Sequence, residues 1–224
     1  MSAIDETGSK ETSATRGAYL TLRRMILTGA LPAGEKLKIE RLRVMLDTGS
    51  SPVREALSLL TSDMLVERID QRGFRAAPVN KANFEEILML RETLESIALR
   101  GSIANATSQW EDRLVLTHHR MKKAAQQKST SFEEVHKAFH MALLENAETP
   151  MLMKYCSQLY DLNIRYRYLA AKSDLYQSRD VETEHTEILD AAVARDADAA
   201  IAALMQHYRR TGEYLTTLMD DLAV

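Results

Sequence analysis

The stretch TGSSPVREALSLL, Thr48 to Leu60, sets a hydroxyl-rich head with one proline directly against an amphipathic run. Val53, Ala56, Leu57 and Leu60 recur at i, i+3, i+4 and i+7, the spacing of one buried helical stripe. The other face carries Ser50, Ser51, Arg54, Ser58 and Thr61. Pro52 suits a first turn, where its missing N–H has no intrahelical partner, and Gly49, Ser50 or Ser51 can each serve as N-cap. A short, firmly started helix therefore presents hydroxyls and one guanidinium near its N-terminus.

Working outward, Tyr19, Leu22, Met25, Ile26 and Leu27 describe an earlier amphipathic helix that Gly29 and Pro32 end. Leu37 to Leu46 reads as a second helix with Leu42, Met45 and Leu46 inward. After the quoted segment the pattern changes: LVERI and FRAAPV are short strand-like runs around the turn Asp70-Gln71-Arg72-Gly73. Three helices and a hairpin make a winged helix-turn-helix over residues 14–79. Residues 1–13 are Ser/Thr-rich and aperiodic, reading as a flexible tail. Pro78, Asn80 and Lys81 read as a hinge.

Residues 80–224 carry no strand signal, and glycine and proline are sparse, so this half reads as all-α. Breaks near Thr107-Ser108, Ser129-Thr130-Ser131, Thr149-Pro150, Ser173-Asp174 and Arg195-Asp196 divide it into about six helices of a bundle. Ile87, Leu90, Leu94 and Ile97 on the first of them form an apolar stripe, suited to core or to a dimer seam. The fold class is thus mainly α, a winged helix-turn-helix followed by a helical bundle.

The 224 residues suit two domains, and 45% hydrophobic with 27% charged residues matches an ordinary globular chain. No apolar run approaches the ~18 residues of a membrane span, and the N-terminus lacks the oily core of a secretory signal. A cytoplasmic location without membrane attachment is the expectation. Cys156 is the sole cysteine, so no internal disulfide forms. The net charge of −3 speaks against a simple polyanion binder, but its distribution is uneven: residues 1–80 carry +2 and the remainder −5. Nucleic acid is therefore assigned to the first part.

These residues resemble the GntR-type transcriptional regulators with an FCD effector domain, the FadR-like branch. The resemblance rests on LPAGEKL before the second helix, SSPVREALSLL in the third, RGF in the wing, LRETLES opening the effector domain, HKAFH, and then His185 and His207. Within the branch the HxxFH and RYR patterns are similar to the regulator of glutarate and γ-aminobutyrate use. The resemblance implies a homodimer on an operator, with a recognition helix entering the major groove N-terminus first. There Arg54 contacts a guanine edge or phosphate, and Ser50 and Ser51 bond phosphates. Ser50 departs from the family pattern, which has arginine, so one base-reading group is missing. Arg72 at the wing tip approaches the minor groove, and Gly73 permits close backbone approach. The alternative, a well-capped packing helix with a solvated hairpin, leaves the coincidence of motif, wing and charge asymmetry unexplained.

His136 and His140 stand at i, i+4 in EEVHKAFHMALLEN, on one helical face, where two imidazoles can meet one metal. An isolated HxxxH is more often packing than a site. The resemblance adds His185 and His207 from later helices as ligands of a divalent metal inside the bundle. It places an Asp or other polar group where this chain has His136. A histidine-rich set favours Zn²⁺ or Ni²⁺ over an oxygen-preferring ion. His136 is either a fourth ligand or an effector contact. His118 and His119 match nothing and read as solvated. A metal with an open position also attracts a small carboxylate effector, with Arg91, Arg165 and Arg167 as candidate clamps. Ordinary salt bridges are the competing reading for each arginine.

The functional expectation is a ligand-responsive DNA-binding regulator, most simply a repressor of a catabolic operon. A metal-dependent hydrolase is the alternative, but it leaves residues 15–79 without a purpose and has no carboxylate at a HExxH-like spacing.

Overall fold

The computed structural model describes residues 4–70, 72–170 and 180–222. The chain divides into two units, residues 1–80 with Ile164–Leu169 and residues 81–163 with 170–224. The Ser173-Asp174 break lies outside the described residues.

The first unit is built on α1 (Ile4–Leu27), β1 (Lys36–Leu37), α2 (Ile39–Met45), α3 (Ser50–Ser62), β2 (Val66–Ile69) and β3 (Gly73–Ala76). Helix α3 buries Val53, Ala56, Leu57 and Leu60 completely, the stripe expected from its spacing. It packs chiefly on α1, which contributes Ala18, Leu22 and Ile26. Burying four such side chains contributes several kcal/mol, at about 1.5–3 kcal/mol for each large one. Two polar ties fix the pair: Thr15 Oγ1 donates to Glu55 (2.9 Å) and the Tyr19 hydroxyl to Asp63 (2.7 Å). Gly49 is the N-cap of α3, with extended backbone and no side-chain cap bond.

Helix α1 begins at Ile4, where an aperiodic tail to residue 13 was expected. Once the helix is nucleated by packing around Leu22, each further residue adds a hydrogen bond without a new nucleation cost. Gly29, at φ +74°, lets the chain turn out of α1. In α2 only Leu42 is fully buried, and Met45 is exposed, because this two-turn helix sets a single side chain into the core.

The sheet has the order β1-β3-β2, all antiparallel, with Leu37 opposite Phe74 and Ile69 opposite Gly73. Gly73 at φ +93° closes the hairpin. The two-residue strand β1 is too short for sequence periodicity to show.

The second unit comprises α4 (Lys81–Ala104), α5 (Ser108–Gln126), α6 (Phe132–Leu144), a 3-10 turn (Glu145–Ala147), α7 (Pro150–Ala170, up to Asn163), α8 (Val181–Val193) and α9 (Ala197–Leu222). Thr107 caps α5 by accepting from Trp110 N, and Asp180 caps α8 by accepting from Thr183 N. The core gathers Leu99, Leu114, Phe139, Leu143, Ile188 and Leu204. The Trp110 indole donates to the Ala142 carbonyl at 2.8 Å, pinning α5 to α6. On α4 the inward face is Phe84, Ile87, Arg91, Glu95, Ala98, Leu99 and Ser102; of the expected stripe only Ile87 is in the core and Ile97 is 58% exposed. Two charged residues therefore sit inside the bundle where apolar spacing alone placed leucines.

Candidate metal centre and nucleic-acid interface

Helix α6 presents His136 and His140 one turn apart, α8 presents His185, and α9 presents His207, all buried. One ligand atom from each lies within 4.8 Å of the other three. Nε2 of His185 stands 3.1 Å from Nε2 of His136 and 3.3 Å from Nε2 of His140. Imidazoles bound to one ion at about 2.0–2.1 Å have nitrogens separated by about 3.0 Å in octahedral and 3.4 Å in tetrahedral geometry. Both measured separations fall in that interval, so His136, His140 and His185 are spaced as imidazoles that share one divalent transition metal.

The outer nitrogens are engaged. Nδ1 of His207 bonds Glu184 Oε2 at 2.8 Å, and Glu184 is also held by Arg210 at 3.2 Å. Nδ1 of His136 bonds the Tyr160 hydroxyl, and Nδ1 of His140 lies 3.2 Å from the Tyr208 hydroxyl. Such partners fix ring orientation and leave Nε2 to face inward. Beside this centre Arg91 pairs with Glu95 at 2.6 Å, donates to Asn163 Oδ1 at 3.1 Å, and lies between the rings of Tyr160 and Tyr208. Burial alone would lower the Arg91 pKa, but Glu95 and the tyrosines outweigh it and raise it, so the guanidinium stays charged. Burial pushes the Tyr208 phenol well above its ordinary range, against the pull of Arg91. Burial, with Glu95 adding, pushes the Cys156 thiol up to about 12, leaving it an inert packing group.

In the first unit Arg54 and Ser51 are exposed on α3, and Ser50 is half-buried at its start. Arg72 and Gly73 are exposed at the hairpin tip. Glu40, in the first turn of α2, reaches the same edge: it pairs with Arg43 at 2.5 Å and accepts from Ser50 Oγ at 3.5 Å.

Comparison with known proteins agrees with both halves. Residues 14–75 match the bacterial regulatory proteins of the gntR family, and residues 86–210, more than half of the chain, match the FCD domain. The chain is a GntR-family transcriptional regulator with an FCD domain. It is 33% identical over 202 residues to the uncharacterized HTH-type transcriptional regulator BphR of Paraburkholderia xenovorans, covering 87% of this chain and 82% of BphR. With the HTH-type transcriptional repressor GlaR of Escherichia coli it shares 27% over 197 residues, covering 84% and 90%. The structure of E. coli McbR/YncC superposes with a TM-score of 0.78 at 24% identity, over 92% of this chain and 98% of that one, which shows the shared fold. The relatives are transcription regulators, so the metal-dependent hydrolase is set aside.

In this GntR–FCD regulator, His136, His140, His185 and His207 are brought together, and Arg91 stands beside them. Arg165 is not brought there: it is buried and donates to the Ala77 carbonyl in the first unit. Arg167, half-buried, lies in the same first-unit segment. His119 is exposed as expected, but His118 is buried against the Phe139 ring at 5.3 Å, with no partner for Nε2 among the described residues. Burial, reinforced by Lys122, lowers its pKa. Sequence reasoning missed Glu95, Tyr160, Glu184, Tyr208 and Glu40. The available signal was helical phase: Glu184 and Tyr208 adjoin ligand histidines, and Glu95 follows Arg91 by four. Among the described residues no helix is long and apolar enough to cross a membrane.

Proposed function

We propose that this regulator is a dimeric, cytoplasmic repressor of a catabolic operon whose DNA binding responds to a small carboxylate held beside a divalent metal in the FCD domain. The convergence of four buried imidazoles, three of them with Nδ1 already engaged, carries the reading. His140, His185 and His207 would hold the ion, with His136 as fourth ligand or effector contact. When bound, the metal supplies a Lewis-acidic anchor for an anion. The all-imidazole donor set favours Zn²⁺ or Ni²⁺. Arg91 is committed to Glu95 and Asn163, so it supports the pocket rather than reaching out as a clamp.

On the DNA side, Arg54 with Ser50 and Ser51 enters the major groove, and Arg72 with Gly73 approaches the minor groove. The dimer is supported by Met89 and Ile97, both more than half exposed on α4 and flanked by half-buried Leu90 and Leu94. Light scattering at micromolar concentration is expected to give twice the chain mass; a monomer both free and on DNA would contradict this.

The deciding experiment is gel retardation of the upstream DNA by the purified regulator, titrated with C4 to C6 dicarboxylates and related amino acids, with and without chelator. Glutarate and γ-aminobutyrate come first, from the resemblance noted above. Release of DNA by one of them only in the metal-loaded protein is the expected result. Retardation indifferent to every carboxylate would remove the effector from the proposal.

A further inference from the structure

We infer that Tyr208 and Glu95, backed by Arg91, form a hydrogen-bond relay that fixes the tautomer of His140 and so positions its Nε2 for metal. The inference rests on the metal reading for its purpose, but its geometry stands alone. A tyrosine hydroxyl has one proton to give. Here it goes to Glu95 Oε2 at 2.5 Å, and that carboxylate accepts because Arg91 neutralises it through Nε at 2.6 Å. Toward His140 Nδ1, 3.2 Å away, the Tyr208 oxygen can then only accept. Nδ1 must therefore carry a proton, and in the neutral ring Nε2 presents a lone pair. That lone pair points to the place where Nε2 of His185 lies 3.3 Å away.

The arrangement is costly without a positioning role. Arg91 is 4% exposed and Glu95 fully buried, and a buried ion pair typically adds little or no net stability over apolar packing. Its members have further partners: Asn163 accepts from Nη1, and the Tyr208 ring lies 4.1 Å from the guanidinium carbon. The acceptor end of the relay is thus held by the pairing with Arg91. Glu184 does the same for His207 directly, by accepting from Nδ1 at 2.8 Å. Two of the four rings therefore have their lone pairs set by carboxylates, one in contact and one through a phenol. Tyr208 touches no ion and no effector in this scheme; it acts through His140 and is a positioning residue.

Tyr208→Phe tests it, because only the hydroxyl is lost while the ring keeps its packing on Arg91. Two measurements on the full-length protein read the relay. In metal-free, ¹⁵N-labelled protein, long-range imidazole correlation spectra are expected to show His140 as the Nδ1–H tautomer, and Tyr208→Phe to introduce the Nε2–H form. In competition with a chromophoric zinc chelator, Tyr208→Phe is expected to bind Zn²⁺ about 10- to 100-fold more weakly than wild type. Far-UV circular dichroism and the melting temperature of the metal-free proteins check that the variant folds. An Nε2–H tautomer of His140 in the wild type would overturn the relay, as would a folded Tyr208→Phe with unchanged zinc affinity. A wild-type protein that takes up no Zn²⁺ would sink the metal reading, and the tautomer spectrum would still decide the relay.

Discussion

His185→Ala is the sharpest test of the histidine centre, because this one imidazole stands nearest two others. Its Nε2 lies 3.1 Å and 3.3 Å from those of His136 and His140, and its ring centre is 4.5 Å from that of His207. It is also the ligand set's sole member on α8, so its loss removes that helix's donor to the ion. A ligand that binds only the folded state stabilises it by RT ln(1 + [L]/Kd), about 2.7 kcal/mol at a concentration 100 times Kd. For a chain of this size that corresponds to a rise in Tm of roughly 5–10 °C. If removing one of four donors weakens binding about 100-fold, the same metal concentration equals the new Kd, and the gain falls to about 0.4 kcal/mol. The metal-dependent shift should thus nearly vanish in His185→Ala. Specific DNA binding should persist, since α3 and the β2–β3 hairpin belong to the other unit. The assay is thermal unfolding of tag-free protein, stripped with chelator and titrated with Zn²⁺ or Ni²⁺, alongside elemental analysis. A His185→Ala protein with the wild-type shift, or a wild type with neither shift nor stoichiometric metal, would refute the reasoning. Imidazole ligates only when neutral, so the wild-type shift should shrink as the solution is acidified.

Further outcomes are expected at four positions. Arg54→Ala should weaken operator binding by about 1–3 kcal/mol in a titration at fixed salt, because it removes an exposed guanidinium from the proposed reading helix and leaves the buried stripe intact; Arg72→Ala should lose less and flatten the salt dependence. Glu40→Ala should raise affinity for random-sequence DNA while narrowing its preference for the operator, because a carboxylate beside the head of α3 repels phosphate and can accept from a cytosine amino group; equal changes on both DNAs would rule out a reading role. His118 has a lowered pKa, so the unfolded chain takes up its proton more readily than the folded one. Its contribution is complete above about pH 6.5 and declines as the pH falls below that value. His118→Phe should therefore lessen the loss in urea midpoint between pH 7.5 and 5.5, and a variant with the wild-type difference would show that other groups govern the acid limb.

What the sequence by itself determined was local. The α3 stripe, the glycine at the hairpin tip and the His136–His140 pair each depend on spacing within one element, and a fixed helical or strand repeat converts that spacing into a face. The same rule put Leu90 and Ile97 on one stripe of α4 and left open whether it faced the core or a partner, whereas Arg91, Glu95 and Ser102 are buried within the bundle. Helix rotation is chosen by the whole bundle, and here it turns Arg91 and Glu95 inward, where Asn163 and Tyr208 bond to them. Arg165 and Met45 went astray for a related reason: periodicity tells which residues share a face, but only packing decides which face turns inward. The two-residue β1 depends on its pairing with β3, which no local pattern records. The meeting of α6, α8 and α9 at one point, and the chain of donors that orients His140, exist only in the tertiary structure, because a hydrogen-bond network is a property of distances between elements and not of order along the chain.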